Sequence, residues 1–166
     1  AAFDADGCAN PWYYEMAELG HNFRASDIHC ALGRVQLGKL DRFVNRRAAL
    51  VERYDDALRD LAPSLRPVAR VTSGRPGWHL YPILIDFDTI GITRATLMYR
   101  LRDRGIGTQV HYIPVPDQPY WRDRNGGCEV PGARSYYARV LSLPLFPELT
   151  TEDVAFVADV LRSELN

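Results

Sequence analysis

The chain has 166 residues, 46% hydrophobic and 25% charged, the make-up of a globular chain with one core. Its formal net charge of −1 gives no electrostatic case for nucleic acid or an anionic membrane as partner. No apolar run reaches the roughly 18 residues of a membrane span, and the N-terminus lacks a signal-peptide pattern. Cys8, Cys30 and Cys128 are an odd, scattered set, which argues for a reducing cytoplasm rather than a disulfide framework. The chain starts at Ala1 rather than Met, and its first residues read like the middle of a longer polypeptide.

Residues 1–18 read as irregular, and the Trp12-Tyr13-Tyr14 triplet suits either core packing or a cleft wall. Ser26 is an N-cap candidate with Asp27 in the first turn, and Ile28, Ala31, Leu32 and Val35 follow at helical spacing, predicting a helix over 27–38. After Gly38 a second stripe of Val44, Ala48, Val51, Tyr54, Leu58 and Leu61 predicts an amphipathic helix of about 20 residues, stopped by Pro63. Residues 63–77 read as a loop. Residues 78–86 read as a strand apolar on both faces, with Pro82 favouring an edge position or a bulge.

Thr93 caps a predicted helix carrying Leu97, Met98 and Leu101, which Gly105 ends. A second strand is expected over 106–113, a long loop over 114–131, a short helix over 134–141 and a last strand over 142–146. Thr150 and Asp153 make a capping box before a final helix with Val154, Val157, Leu161 and Leu165. The whole predicts an α+β fold in which helices cover a few-stranded sheet and the first helix sits outside.

Few patterns carry chemistry. His21, His29, His79 and His111 are too dispersed for a metal motif, so no metal is expected. There is no nucleophile elbow and no phosphate loop. Two stretches stand out. The polar turn Leu19–Ile28 can hold Asn22 and Arg24 rigidly before a helix and aim them at an anion. In Gln109–Pro114, alternation puts Gln109 and His111 on one face and Val110 and Tyr112 on the other, near a strand end where a His and a Tyr can reach a cleft.

Several segments together resemble one family. Gly20-His21-Asn22-Phe23-Arg24, Ser26-Asp27-Ile28, Ala31-Leu32-Gly33, Gln36-Leu37 and Lys39-Leu40 are similar to the G-x-N-[YF]-R, [TS]-D-I-Q-A-A-L-G and Q-L-x-K-L pattern of the DegT/DnrJ/EryC1/StrS sugar aminotransferases. Trp78–Tyr81, Gly105–Gly107, His111–Val115 and Ser142–Pro147 match in the same order and at similar spacing. Pro11–Met16 resembles in particular the branch making UDP-4-amino-4,6-dideoxy sugars, the pseudaminic-acid-pathway transaminases.

The resemblance implies the C-terminal part of a pyridoxal-phosphate enzyme of fold type I. Residues 1–40 would be a remnant of the large cofactor-binding domain, 41–62 a connecting helix and 63–166 a small α+β domain. It implies a cytoplasmic homodimer with active sites shared across subunits, moving an amino group from glutamate to a keto-sugar nucleotide. Asn22 matches the cofactor-binding asparagine that reaches across the dimer to the cofactor phosphate or the bound substrate of the neighbouring subunit, and Arg24 matches the arginine beside it, structural or anion-binding. His111, Tyr112, Ile113 and Pro114 match the border of the sugar-nucleotide pocket. Pro116 stands where the family usually has a histidine, leaving Gln118 and Tyr120 as further substrate contacts. The Schiff-base lysine of the family falls upstream of these motifs, so no catalytic residue is expected in the chain. Lys39, the only lysine, aligns with a helix-surface position. The isolated chain is therefore expected to be inactive. The alternative is a split or degenerate product serving as a binding or dimerisation module.

Overall fold

The computed structural model describes residues 1–70 and 73–165; Val71 and Thr72, inside the expected 63–77 loop, and Asn166 lie outside the described residues. Helix α1 (Asp27–Leu37) starts as predicted: Ser26 has extended backbone and its Oγ accepts the His29 N–H at 3.4 Å. The His29 Nδ1 in turn accepts the Ser26 N–H at 3.4 Å, completing a capping box in which an imidazole takes the place of the usual carboxylate. Helix α2 (Leu40–Ala57) buries Val44, Leu50, Val51 and Tyr54 and passes into a 3-10 turn, Arg59–Leu61, before Pro63.

Three antiparallel strands follow in the order β1 (Leu65–Pro67), β2 (Tyr81–Ile85), β3 (Val140–Leu143). The register pairs Leu65 with Ile85 and Ile83 with Leu141. Strand β1 lies within the stretch that reads as loop, because its three residues take their order from β2 and show no alternation of their own. Pro82 sits in the central strand, not at an edge. The sheet tolerates it there because its carbonyl accepts the Val68 N–H at 3.2 Å just past the end of β1, so the missing donor falls where that ladder stops.

The remaining helices are α3 (Phe87–Ile90), α4 (Arg94–Asp103), α5 (Pro119–Asn125), α6 (Pro131–Arg139) and α7 (Thr151–Leu165). Thr93 caps α4 by accepting the Thr96 N–H at 3.1 Å. The Thr150–Asp153 box opens α7, with bonds of 2.8 and 3.1 Å. Residues 106–113 are not a strand; only Gln109 pairs, in a single bridge to Ser142 on the free side of β3. Helix α5 lies inside the expected 114–131 loop, with Pro119 at its first position and Gly126 ending it in the left-handed region at φ +66°. Helix α6 begins at Pro131 and β3 at Val140, both earlier than predicted.

The core lies where α2, α7 and α4 meet the sheet. Leu50, Tyr54, Ile83, Ile85, Leu97, Leu101, Leu141 and Leu161 are all fully buried there. Tyr54 of α2 stacks on Tyr81 of β2 with ring centroids 4.6 Å apart. Their hydroxyls reach the Pro144 carbonyl at 3.0 Å and Asp55 at 2.7 Å, which lets both phenols lie in the core with their polar ends satisfied. Burial raises both phenol pKa values above the ordinary tyrosine range.

Arg94 is the one buried cation among the described residues. It lies between the rings of Trp12, 4.1 Å away, and Tyr137, 4.8 Å away, and donates to the Tyr137 and Val140 carbonyls at the end of α6. Burial without a carboxylate partner lowers its pKa to about 10. Trp12 is the member of its triplet that packs into the core, donating to the Tyr137 hydroxyl at 3.0 Å.

Helix α1 differs from the rest. None of its residues is buried, and Ile28, Leu32, Val35 and Leu37 are 74%, 59%, 59% and 68% exposed. Among the described residues no helix is long and apolar enough to cross a membrane.

The contrast between α7 and α1 is measurable. Leu161→Ala should cost about 2–5 kcal/mol in a denaturant titration, as for other fully buried leucines. Leu32→Ala in the same 166-residue chain should change stability by less than about 0.5 kcal/mol.

Candidate functional site

The turn before α1 presents its side chains outward. Asn22 and Arg24 are exposed, and among the described residues neither side chain makes a hydrogen bond. Their backbone is carried into the helix by the Ser26–His29 cap, and His21 and Phe23 meet edge to face at 5.9 Å. The arrangement is two unengaged donors, an amide and a guanidinium, just upstream of a helix N-terminus. It suits an anion with several oxygens, which charge-assisted bonds would hold.

The second group of expected residues lies on the segment from Gln109 to Tyr120. Val110 is buried while Tyr112 is 58% exposed, so the two do not share a face as strand alternation would require. The cause is the single-bridge pairing at Gln109, which leaves the following residues free of a ladder. His111 is half-buried; its Nδ1 lies 2.9 Å from Ser142 Oγ, and its ring meets Tyr112 edge to face at 4.6 Å. Burial, and secondarily the neighbouring His79, lower the His111 pKa below its ordinary value, so the imidazole is neutral at neutral pH.

Ile113 and Pro114 are buried and carry the chain into a 3-10 turn, Val115–Asp117. Gln118, at the start of α5, is almost fully buried, and its Oε1 accepts the Met16 N–H at 2.8 Å. The Tyr120 N–H donates back to the Met16 carbonyl at 2.9 Å. Both polar groups of one backbone unit are thus engaged by α5, and the N-terminal segment is fixed against it. Tyr120 is itself buried, with the Arg124 guanidinium 3.8 Å over its ring.

A cavity of about 310 Å³ opens between this N-terminal segment and α5. Tyr13, Tyr14, Ile113, Gln118, Arg122 and Tyr137 line it. The structure therefore gathers Ile113 and Gln118 with aromatic residues that the sequence left undecided between core and cleft. Asn22 and Arg24 do not line this cavity. A larger apolar hollow of about 440 Å³, walled by Arg70, Trp78, Tyr81 and Pro82, adjoins the β1–β2 connection and contains none of the expected site residues. Reading the sequence missed two contributors, Met16 and Ser142. Two signals point to Ser142: it heads the Ser142–Pro147 motif, and it is a lone hydroxyl in the apolar run Val140–Leu143.

Comparison with known proteins identifies the family and the fold. A family model described as the DegT/DnrJ/EryC1/StrS aminotransferase family matches residues 1–162, and the chain belongs to that family. It is 36% identical over 165 residues to the spore coat polysaccharide biosynthesis protein SpsC of Bacillus subtilis, covering 98% of this chain and 42% of that protein. Among solved structures it resembles Helicobacter pylori PseC, an aminotransferase involved in the biosynthesis of pseudoaminic acid. That match has a TM-score of 0.77 at 28% identity over 94% of this chain and 42% of PseC. DesI, solved in the presence of its TDP-sugar product, matches with a TM-score of 0.76 at 26% identity, covering 85% of this chain and 36% of DesI. The helices and three-stranded antiparallel sheet thus match part of a fold-type-I aminotransferase, and the chain spans 42% of the length of SpsC.

The clasp on Met16 can be tested alone. Gln118→Ala leaves the Met16 N–H without its acceptor and should cost about 1–3 kcal/mol of stability. Hydrogen exchange should quicken at Met16 well before it does in β2; unchanged protection at Met16 would show the bond to be absent in solution.

Proposed function

We propose that this chain serves a pyridoxal-phosphate-dependent aminotransferase that moves an amino group from glutamate to a keto-sugar nucleotide. In this reading residues 1–40 belong with the large domain, 41–62 connect, and 63–166 form the small domain. The observation that carries it is the turn at Gly20–Arg24. Among the described residues its two donors are exposed and unengaged, and the helix behind it keeps an uncovered apolar stripe, fitting a segment that seats against a larger body. The unspent donors fit a phosphate group.

Asn22 and Arg24 would hold the cofactor phosphate, with Asn22 serving the neighbouring subunit of a homodimer. When bound, pyridoxal phosphate would carry the amino group between donor and sugar and would supply the electron sink for the deprotonated carbon. His111, Tyr112, Ile113 and Pro114 border the sugar-nucleotide pocket. Gln118 and Tyr120 shape its wall, since their hydrogen bonds to Met16 hold the Tyr13–Tyr14 segment in place. The Schiff-base lysine is assigned to residues outside these 166, and the enzyme to the cytoplasm, where the free thiols of Cys8, Cys30 and Cys128 persist.

The reading predicts that the chain alone retains no pyridoxal phosphate through desalting. Produced together with a lysine-bearing N-terminal half from a family member, it should retain cofactor and form 2-oxoglutarate from glutamate when a keto-sugar nucleotide is present. Asn22→Ala should weaken cofactor retention by about 10-fold or more, the effect of one charge-assisted hydrogen bond. Cofactor fixed to Lys39 by borohydride in the isolated chain would contradict the assignment.

A further inference from the structure

We infer that Ser142 is a positioning residue that fixes the His111 imidazole as the tautomer with its proton on Nε2, so that His111 presents a hydrogen-bond donor to an acceptor oxygen of the ligand. Ser142 is 4% exposed, in the middle of an otherwise apolar strand. Its backbone has a neighbour on both sides. On one it pairs with Pro82 in β2; on the other its N–H donates to the Gln109 carbonyl at 2.8 Å and its carbonyl accepts the Gln109 N–H at 3.2 Å. That two-bond bridge sets the path of the chain two residues before His111 and brings Nδ1 to 2.9 Å from the hydroxyl.

The direction of that bond follows from the burial of the hydroxyl. A buried O–H must donate somewhere, and among the described residues Ser142 Oγ has no partner except His111 Nδ1. If the imidazole were the donor, the serine proton would be left buried without an acceptor. The serine therefore donates, Nδ1 accepts, and the ring proton resides on Nε2. Among the described residues Nε2 makes no hydrogen bond, so its donor is free to meet a ligand.

The same bond opposes protonation. An imidazolium needs Nδ1–H to donate to Oγ, which turns the serine proton away from its only acceptor. The groups facing the ring act in the same direction or are neutral: His79 disfavours a second positive charge nearby, Tyr112 offers a ring edge, and Ser142 carries no charge. A neutral donor suits a phosphate, hydroxyl or carbonyl oxygen and disfavours a ligand donor at the same place.

That the ligand is a sugar nucleotide rests on the proposed function, whereas the tautomer does not. Nitrogen-15 NMR of the histidine rings in the 166-residue chain tests it directly. The spectrum expected of the unaltered chain has His111 Nε2 at the protonated, pyrrole-like shift and Nδ1 at the unprotonated, pyridine-like shift. Ser142→Ala should move the two shifts toward each other and raise the His111 titration midpoint by roughly one pH unit. Ser142→Thr, which keeps the hydroxyl, should restore both. A proton on Nδ1 in the unaltered chain would overturn the inference without any variant, and so would a Ser142→Ala chain, folded by its amide spectrum, with unchanged ring shifts. Failure of the aminotransferase reading would leave these spectra as they are.

Discussion

The packing of the helices on the sheet depends on the stack of Tyr54 on Tyr81. These rings join helix α2 to the central strand, and their hydroxyls reach in different directions, one to the Pro144 carbonyl after β3 and the other to Asp55 on α2. A phenol can occupy the centre of a core only when its polar end is satisfied, so the two contacts also fix where β3 ends and how α2 lies on the sheet. Asp55 in turn pairs with Arg70, whose guanidinium lies over Trp78 and Tyr81. The packing of α7 on α2, with Val154, Val157 and Leu161 buried, closes the layer from outside.

From this layer the site is built outward by two tethers. The Gln109–Ser142 bridge holds the segment that carries His111, and the Met16 clasp by Gln118 and Tyr120 holds the N-terminal segment against α5. Arg94 adds a third tie by placing Trp12 against Tyr137. Helix α1 receives none of this support. Its Ile28, Leu32 and Val35 face solvent, and an 11-residue helix has little stability of its own. The rigid pocket wall and the loosely held turn are therefore mechanically distinct parts of one chain.

Elements governed by local rules were readable from the sequence. Ser26, Thr93 and Thr150 announced three helix starts, because a cap is a contact between residues three apart. The signals for α5 were also present, Pro119 at its start and Gly126 at its end, but the surrounding prolines and glycines read as loop. Elements governed by distant partners were not readable. Strand β1 takes its order from β2, and residues 106–113 have the composition of a strand yet gain one bridge only. The site divides in the same way. Asn22 and His111 belong to recognisable motifs, whereas the partner that orients His111 lies 31 residues further on, and the contact of Gln118 with Met16 spans 102.

The account assigns the Asn22 turn to the active site of the other subunit, and subunit complementation tests that most directly. Complete enzyme lacking the Schiff-base lysine is mixed, after dissociation, with complete enzyme carrying Asn22→Ala. If Asn22 serves the neighbouring subunit, half of the dimers are mixed and each has one intact site, so activity should recover to about a quarter of that of the unaltered enzyme. If Asn22 serves its own subunit, no dimer in the mixture has an intact site. Activity that stays at the level of the separate variants would contradict the account.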